Sequence, residues 1–212
     1  MLCIKGEISL YDVNKMKSNI EAAVSIAELE VKNEFISVFN EIYVENKVPL
    51  TLDDLFQVSI IKLEKLEHIE SIISGAGFYI ILTDFNLADN PCELTKEESI
   101  KAIYRGECST VKKRIKSHLF NSEYKKSYEE RKRKYLAQEK NNGKEFYEQF
   151  WPACLKLGNG TNGIDIDGTE YNGNNWYVVV HNMKNSSQAV RVQAELAFDN
   201  CFNKPVASRE NT

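Results

Sequence analysis

Apolar residues recur at intervals of three and four over residues 15–46, at Ile20, Val24, Ala27, Val31, Phe35, Val38 and Ile42. This period predicts one long helix. A second strip, Ile26, Leu29, Ile36, Phe39 and Tyr43, predicts burial on two sides. Pro49 breaks the pattern, and Thr51 can cap a second helix whose Phe56, Ile60, Leu63, Leu66, Ile69 and Ile73 share one face before Ser74, Gly75, Ala76 and Gly77 end it. The period then changes. Phe78–Thr83 and Lys101–Arg105 are short apolar, β-prone runs that predict strands, separated by a loop with a turn at Asn90 and Pro91. Ser109 can cap a helix that turns Val111, Ile115 and Leu119 inward and carries Arg114 and His118 on an adjoining row. A charged helix over 122 to about 150, a turn-rich tract at 159–175, a third strand at Trp176–His181 and a last helix from Ser186 or Ser187 to about Phe202 complete the pattern.

At 212 residues with 42% apolar side chains, the chain is long enough for one or two domains with a real core. No apolar run approaches the roughly 18 residues of a membrane span, and MLCIKGEISL lacks a basic stretch followed by an apolar one, so a cytoplasmic protein without membrane contact is expected. Cysteines 3, 92, 108, 154 and 201 form no CxxC pair and leave an odd one, which predicts reduced thiols. Asp165–Gly168 reads DIDG, but Gly163 and Asn174 stand where a calcium loop needs its first and last acids.

Charge changes the picture more than composition does. Met1–Gly75 holds 7 Lys against 13 Asp plus Glu, a balance of −6, whereas Lys112–Lys144 holds 12 Lys plus Arg against 4 Glu, a balance of +8. Screening limits charge effects to about 8–10 Å, so the local field governs contact with a phosphate backbone. Within that basic part, YKKSYEERKRKY reads either as a solvated helix face or as a nucleic-acid track in which Tyr124, Tyr128 and Tyr135 stack and Lys125, Lys126, Arg131, Lys132, Arg133 and Lys134 meet phosphates.

The candidate chemistry lies just before it. Gly77-Phe78-Tyr79 and Tyr104-Arg105-Gly106 each sit in a β-prone run, followed by the helix with Arg114 and His118. Two tyrosines from neighbouring strands beside a helical cation form a phosphate-handling layout. Read as GFYII, AIYRGE and STVKKRIKSHLF, the segment resembles the GIY-YIG nuclease family, with Arg114 ten residues after Tyr104 and His118 four further on, as in some homing endonucleases. Glu195, heading ELAFDNCFNKPVAS with Pro205, matches the family's late-helix glutamate, and the family Asn falls on Asn203, Ser208 or Asn211. The chain departs from the family at Phe78 and Arg105, where Ile or Val is usual, and at Glu107, where many members have Lys.

The resemblance implies a GIY-YIG-type α+β module, a small three-stranded sheet flanked by helices, over residues 76–212 with an insertion at about 121–174. Residues 1–75 would be an N-terminal helical element for association, homo-oligomer formation or target choice. It further implies an endonuclease hydrolysing phosphodiester bonds, with DNA as substrate. Tyr79 or Tyr104 would orient or deprotonate water, Arg114 hold the scissile phosphate, His118 relay a proton or contact phosphate, and Glu195 bind Mg²⁺ or Mn²⁺. Arg105 and Lys113 would join the basic tract in contacting nucleic acid. Two alternatives stand beside these: a helix ion pair between Glu195 and Arg191, and a catalytically inactive nucleic-acid-binding or regulatory protein on the same fold.

Overall fold

The computed structural model describes residues 10–50, 57–120, 129–130, 132–138, 155 and 164–208. It is an α+β fold on a curled, wholly antiparallel five-stranded sheet. The elements are α1 (Leu10–Ile42), β1 (Val58–Lys62), β2 (Gly77–Thr83), β3 (Thr95–Glu97), β4 (Ile100–Cys108), α2 (Val111–Leu119), β5 (Trp176–Asn182) and α3 (Gln188–Phe202). The sheet order is β1-β5-β2-β4-β3. Five strands replace the three expected: β5, β2 and β4 are the predicted ones, and β1 and β3 extend them at the two edges.

The predicted helix after Pro49 does not extend over the described residues from Gln57 onward. Residues 51–56 lie outside the described part, and beyond them the chain forms β1, paired with β5, and then a short 3₁₀ segment, Leu66–Ser71. Val58 and Ile60 pack on one side of the sheet and Ile61 and Leu63 on the other. In VSIIK the adjacent Ile60 and Ile61 pack on opposite faces of the sheet, which breaks strict alternation, and with the apolar residues after it that run imitated one face of a helix. Residues 58–71 are thus not part of a separate helical element. The predicted loop 84–99 likewise contains β3, whose Thr95 carbonyl accepts the Val48 N–H at 2.7 Å. Of the charged helix expected over 122–150, residues 129–130 and 132–136 are helical, 137–138 turn away from the helix, and the others lie outside the described part.

Helices cover both faces of the sheet. On one face, Phe78, Ile80, Leu82 and Val179 meet Phe39 and Ile42 of α1 and Ala194, Phe198 and Phe202 of α3. On the other, Tyr79, Ile81, Val178 and Val180 meet Val111, Ile115 and Leu119 of α2. All seven residues of β2 are therefore buried. The start of α3 is capped by Ser187, whose Oγ accepts the Val190 N–H at 3.3 Å. Cys92, Cys108 and Cys201 are free thiols. Among the described residues no helix is long and apolar enough to cross a membrane.

A polar contact joins α1 to the sheet inside the first of these cores. Tyr43 Oη and His181 Nε2 lie 2.6 Å apart, and the Phe39 ring packs edge-on against the imidazole. Burial pushes His181 down from 6.5 to about 3, so it is neutral in the folded state at all ordinary pH. Between pH 6.5 and about 3 the unfolded chain binds a proton that the folded chain refuses. Stability is therefore fully present above pH 6.5 and falls as the solution is acidified, by up to ~1.4 kcal/mol per pH unit. Urea denaturation from pH 7.5 to 5 should show this slope in the wild type, and His181→Asn should flatten it.

Candidate active site

The site begins with a register shift. Tyr79 pairs with Gly106 and Ile81 with Tyr104, but Leu82 pairs with Ala102, leaving Ile103 as the extra residue of a β-bulge. Regular alternation would send Tyr104 to the same side as Ala102. The bulge sends Ile103 and Tyr104 together to the face that carries Tyr79, while Ile100 and Ala102 stay with the α1 and α3 side. The C-terminal segment braces it: the Ala207 N–H donates to Ile103 O at 3.0 Å, and Ser208 Oγ accepts the Arg105 N–H at 2.9 Å.

Gly106 lies beneath the two phenols. A Cβ at this position would stand 2.8 Å from Tyr79 Oη, 2.8 Å from Tyr104 Cε1 and 3.0 Å from Tyr104 Oη. The tyrosine rings are 5.9 Å apart between centroids and can lean together only because this strand position has no side chain.

The α2 helix supplies the next two groups. Its start is fixed by the Val111 N–H donating to Gly75 O at 2.9 Å; the N-cap is Thr110 rather than Ser109, with no side-chain capping bond. His118 is buried, with Nε2 2.9 Å from Tyr79 Oη and its ring 4.9 Å from that of Tyr104. Arg114, one turn earlier and half-buried, is electrostatically coupled to both phenols and to Cys108. Burial pushes Tyr79 well above the usual phenol range, with Tyr104 adding to the rise and Arg114 opposing it. Burial also raises Tyr104, against the pull of the Tyr79 hydroxyl; Glu195 adds to the rise, and Arg114 and Arg105 oppose it. Burial would raise Cys108 too, yet hydrogen bonds from Thr110 and the Arg114 guanidinium hold the thiol below its ordinary value. Both phenols are therefore neutral donors at pH 7 in the resting protein.

Glu195 approaches from α3. It is buried, and Oε1 lies 3.1 Å from Nη1 of Arg105. Arg105 also makes a two-pronged bond to Asp199, Nε to Oδ1 at 3.0 Å and Nη2 to Oδ2 at 2.6 Å. At 3% exposure, Arg105 is not a nucleic-acid contact, which corrects the expectation from its place beside the tyrosine. The expected Glu195–Arg191 pair does not form either. Arg191 Nε instead donates to Glu107 Oε2 at 2.7 Å and its Nη1 to Ser186 O at 2.6 Å, tying β4 to α3. The three departures from the family motif, Phe78, Arg105 and Glu107, all face α1 and α3, opposite the phenols.

Arg105, Glu195 and Asp199 set two carboxylates around one guanidinium. The donor set is hard oxygen, which suits Mg²⁺ or Mn²⁺. Among the described residues no group of three or more His, Cys, Asp or Glu converges, so Glu195 would act as a lone protein ligand. Of the three residues considered for the family Asn position, Ser208 adjoins the site at Arg105. Asn203 instead bonds Glu93 at 3.2 Å, and Asn211 is outside the described part. Asp199 was missed as a site residue, although its i+4 spacing from Glu195 was a signal for it.

Of the basic residues, Lys113, Arg133 and Lys134 are exposed and Lys132 is half-buried; Lys134 pairs with Glu130 at 2.6 Å. Lys125, Lys126 and Arg131 lie outside the described part. Lys112 and Lys116, not singled out from sequence, join Lys113 and Thr110 around a cavity of about 330 Å³ beside Ser74 and Gly75.

A methyl group at position 106 should break the site from within. Gly106→Ala is expected to destabilise the fold by ~1–3 kcal/mol through overpacking and to change the near-ultraviolet tyrosine dichroism. Gly173→Ala, where an added Cβ meets nothing within 4 Å, should leave that spectrum unchanged.

Comparison with protein-family models, curated proteins and solved structures gives no match in any of the three.

Proposed function

We infer that the protein is a metal-dependent endonuclease of GIY-YIG type that hydrolyses phosphodiester bonds, with DNA as its substrate. One observation carries this reading: two phenols lean over Gly106, one bonded to His118 and both coupled to Arg114, with the Glu195 carboxylate acting on Tyr104.

Hydrolysis needs a water held in line with the leaving oxygen and compensation for charge that builds on the phosphoryl group. Arg114 is the group that can hold a phosphate oxygen, because its charge is retained beside the phenols. Tyr79 and Tyr104, being neutral, orient the water through their hydroxyls rather than deprotonate it outright. In the tautomer with Nε2 unprotonated, His118 accepts the Tyr79 proton, so a proton leaving the water can pass through the phenol to the imidazole. Glu195 would hold Mg²⁺ or Mn²⁺, which when bound lowers the pKa of its water and offsets phosphate charge. Arg105 and Asp199 fix the direction of that carboxylate. Lys113 and its neighbours on α2 give the approach its positive field.

A second reading is favoured by one contact. The Arg105 guanidinium already compensates Glu195 at 3.1 Å, as expected of a catalytically inactive nucleic-acid-binding or regulatory protein on this fold.

Incubation of supercoiled plasmid with the wild type and Mg²⁺ should give nicked product. Glu195→Ala and Arg114→Ala should each slow it by about 10²-fold or more. Equal nicking by wild type and Glu195→Ala, or none by either across salt and metal conditions, would overturn the nuclease reading. Salt-dependent binding without cleavage would select the second one.

A further inference from the structure

The long helix α1 is anchored at one end only. From Phe35 to Ile42 it packs against the sheet and α3, but residues 13–30 are all exposed except the half-exposed Glu28. At 1.5 Å per residue this is an arm of about 27 Å. An isolated helix of that length is marginal in water and draws its stability from a packed apolar face. The arm has such a face with nothing described against it: Val13 is 49% exposed, Met16 58%, Ile20 56% and Val24 50%. With Ala27 and the half-buried Val31 these residues continue, at intervals of three and four, the row that Phe35 carries into the core. Such spacing is that of a helix-pairing seam.

The charges of the arm say what fits it. Residues 13–20 hold Lys15 and Lys17 and no acid, whereas residues 21–34 hold Glu21, Glu28, Glu30 and Glu34 against Lys32. A parallel partner with the same sequence would set acid against acid. An antiparallel one sets the basic end of each arm against the acidic stretch of the other. The register that matches the seam to itself, with Ile20 facing Val24 and Val13 facing Val31, also matches the charges. Lys17 and Glu28 are eleven residues apart, close to three whole turns, and so lie on one flank of the seam. In that register Lys17 of each copy falls beside Glu28 of the other.

We propose that the projecting arm of α1 pairs antiparallel with the arm of a second copy of this chain, its seam formed by Val13, Met16, Ile20, Val24 and Val31 and its register set by Lys17 and Glu28. This pairing is independent of the nuclease reading, because no residue of the tyrosine site takes part in it.

Sedimentation of the full chain should show a dimer at tens of micromolar. Under mild oxidation, a mixture of Val13→Cys and Val31→Cys chains should give a covalent dimer above the wild-type background, and Val13→Cys alone should not. Lys17→Glu is an exposed change that should raise the dimer dissociation constant about 3-fold or more, and adding Glu28→Lys in the same chain should restore it. A strictly monomeric wild type, cross-linking by Val13→Cys alone, or a Lys17→Glu defect that Glu28→Lys does not repair would overturn the proposal. Plasmid cleavage is not read in any of these measurements.

Discussion

A single extra residue in β4 decides whether this protein has a site. Side chains on a strand alternate between faces, so each bulge moves every later residue to the other side. With Ile103 as the inserted residue, Tyr104, Gly106 and Cys108 face α2, and Arg105 and Glu107 face α3. Without it, Tyr104 would enter the aromatic core around Phe78 and Phe198, and Arg105 would point at His118 and Arg114. The bonds from Ala207 and Ser208 to Ile103 and Arg105 show why a C-terminal segment remote in sequence belongs to the site: it holds the strand edge at the bulge.

The opposite face of the same strand is held by charge. Arg105 meets Glu195 and Asp199, and Arg191 meets Glu107, all at interatomic distances of 3.1 Å or less and with both arginines buried. Buried pairs of this kind add little net stability, but removing one partner strands a charge and costs about 3–5 kcal/mol. Their effect here is to fix geometry: they lock α3 against β4, and with it the position of Glu195.

Much of this was legible in the chain. Tyr104 and His118 come together because a strand followed by a helix with Val111, Ile115 and Leu119 facing inward leaves little freedom, and Arg114 lies one turn before His118 on that helix. Strand β5 and helix α3 were equally clear, since Trp176–Asn182 is a pure β-prone run and Ser187 caps the helix after it. The failures have physical causes. Residues 58–71 misread as helix because the adjacent Ile60 and Ile61 of β1 face opposite sides and break its alternation, and β3 is too short to write a period at all. Arg105 was mistaken for a phosphate contact because its face depends on the bulge, and a bulge leaves no mark in the order of residue types.

Charge is divided in space as it is in sequence. The nine residues of α2 hold Lys112, Lys113, Arg114 and Lys116 with no acid, while α1 holds most of its acids beyond residue 20. Since screening confines each field to about a Debye length, an overall charge of −4 does not prevent a polyanion from meeting a positive surface at α2. The acidic part of α1 repels such a ligand wherever it lies uncovered. On the proposed nuclease reading, a phosphate backbone would approach along the lysines of α2, the helix that also carries the Arg114 coupled to the phenols.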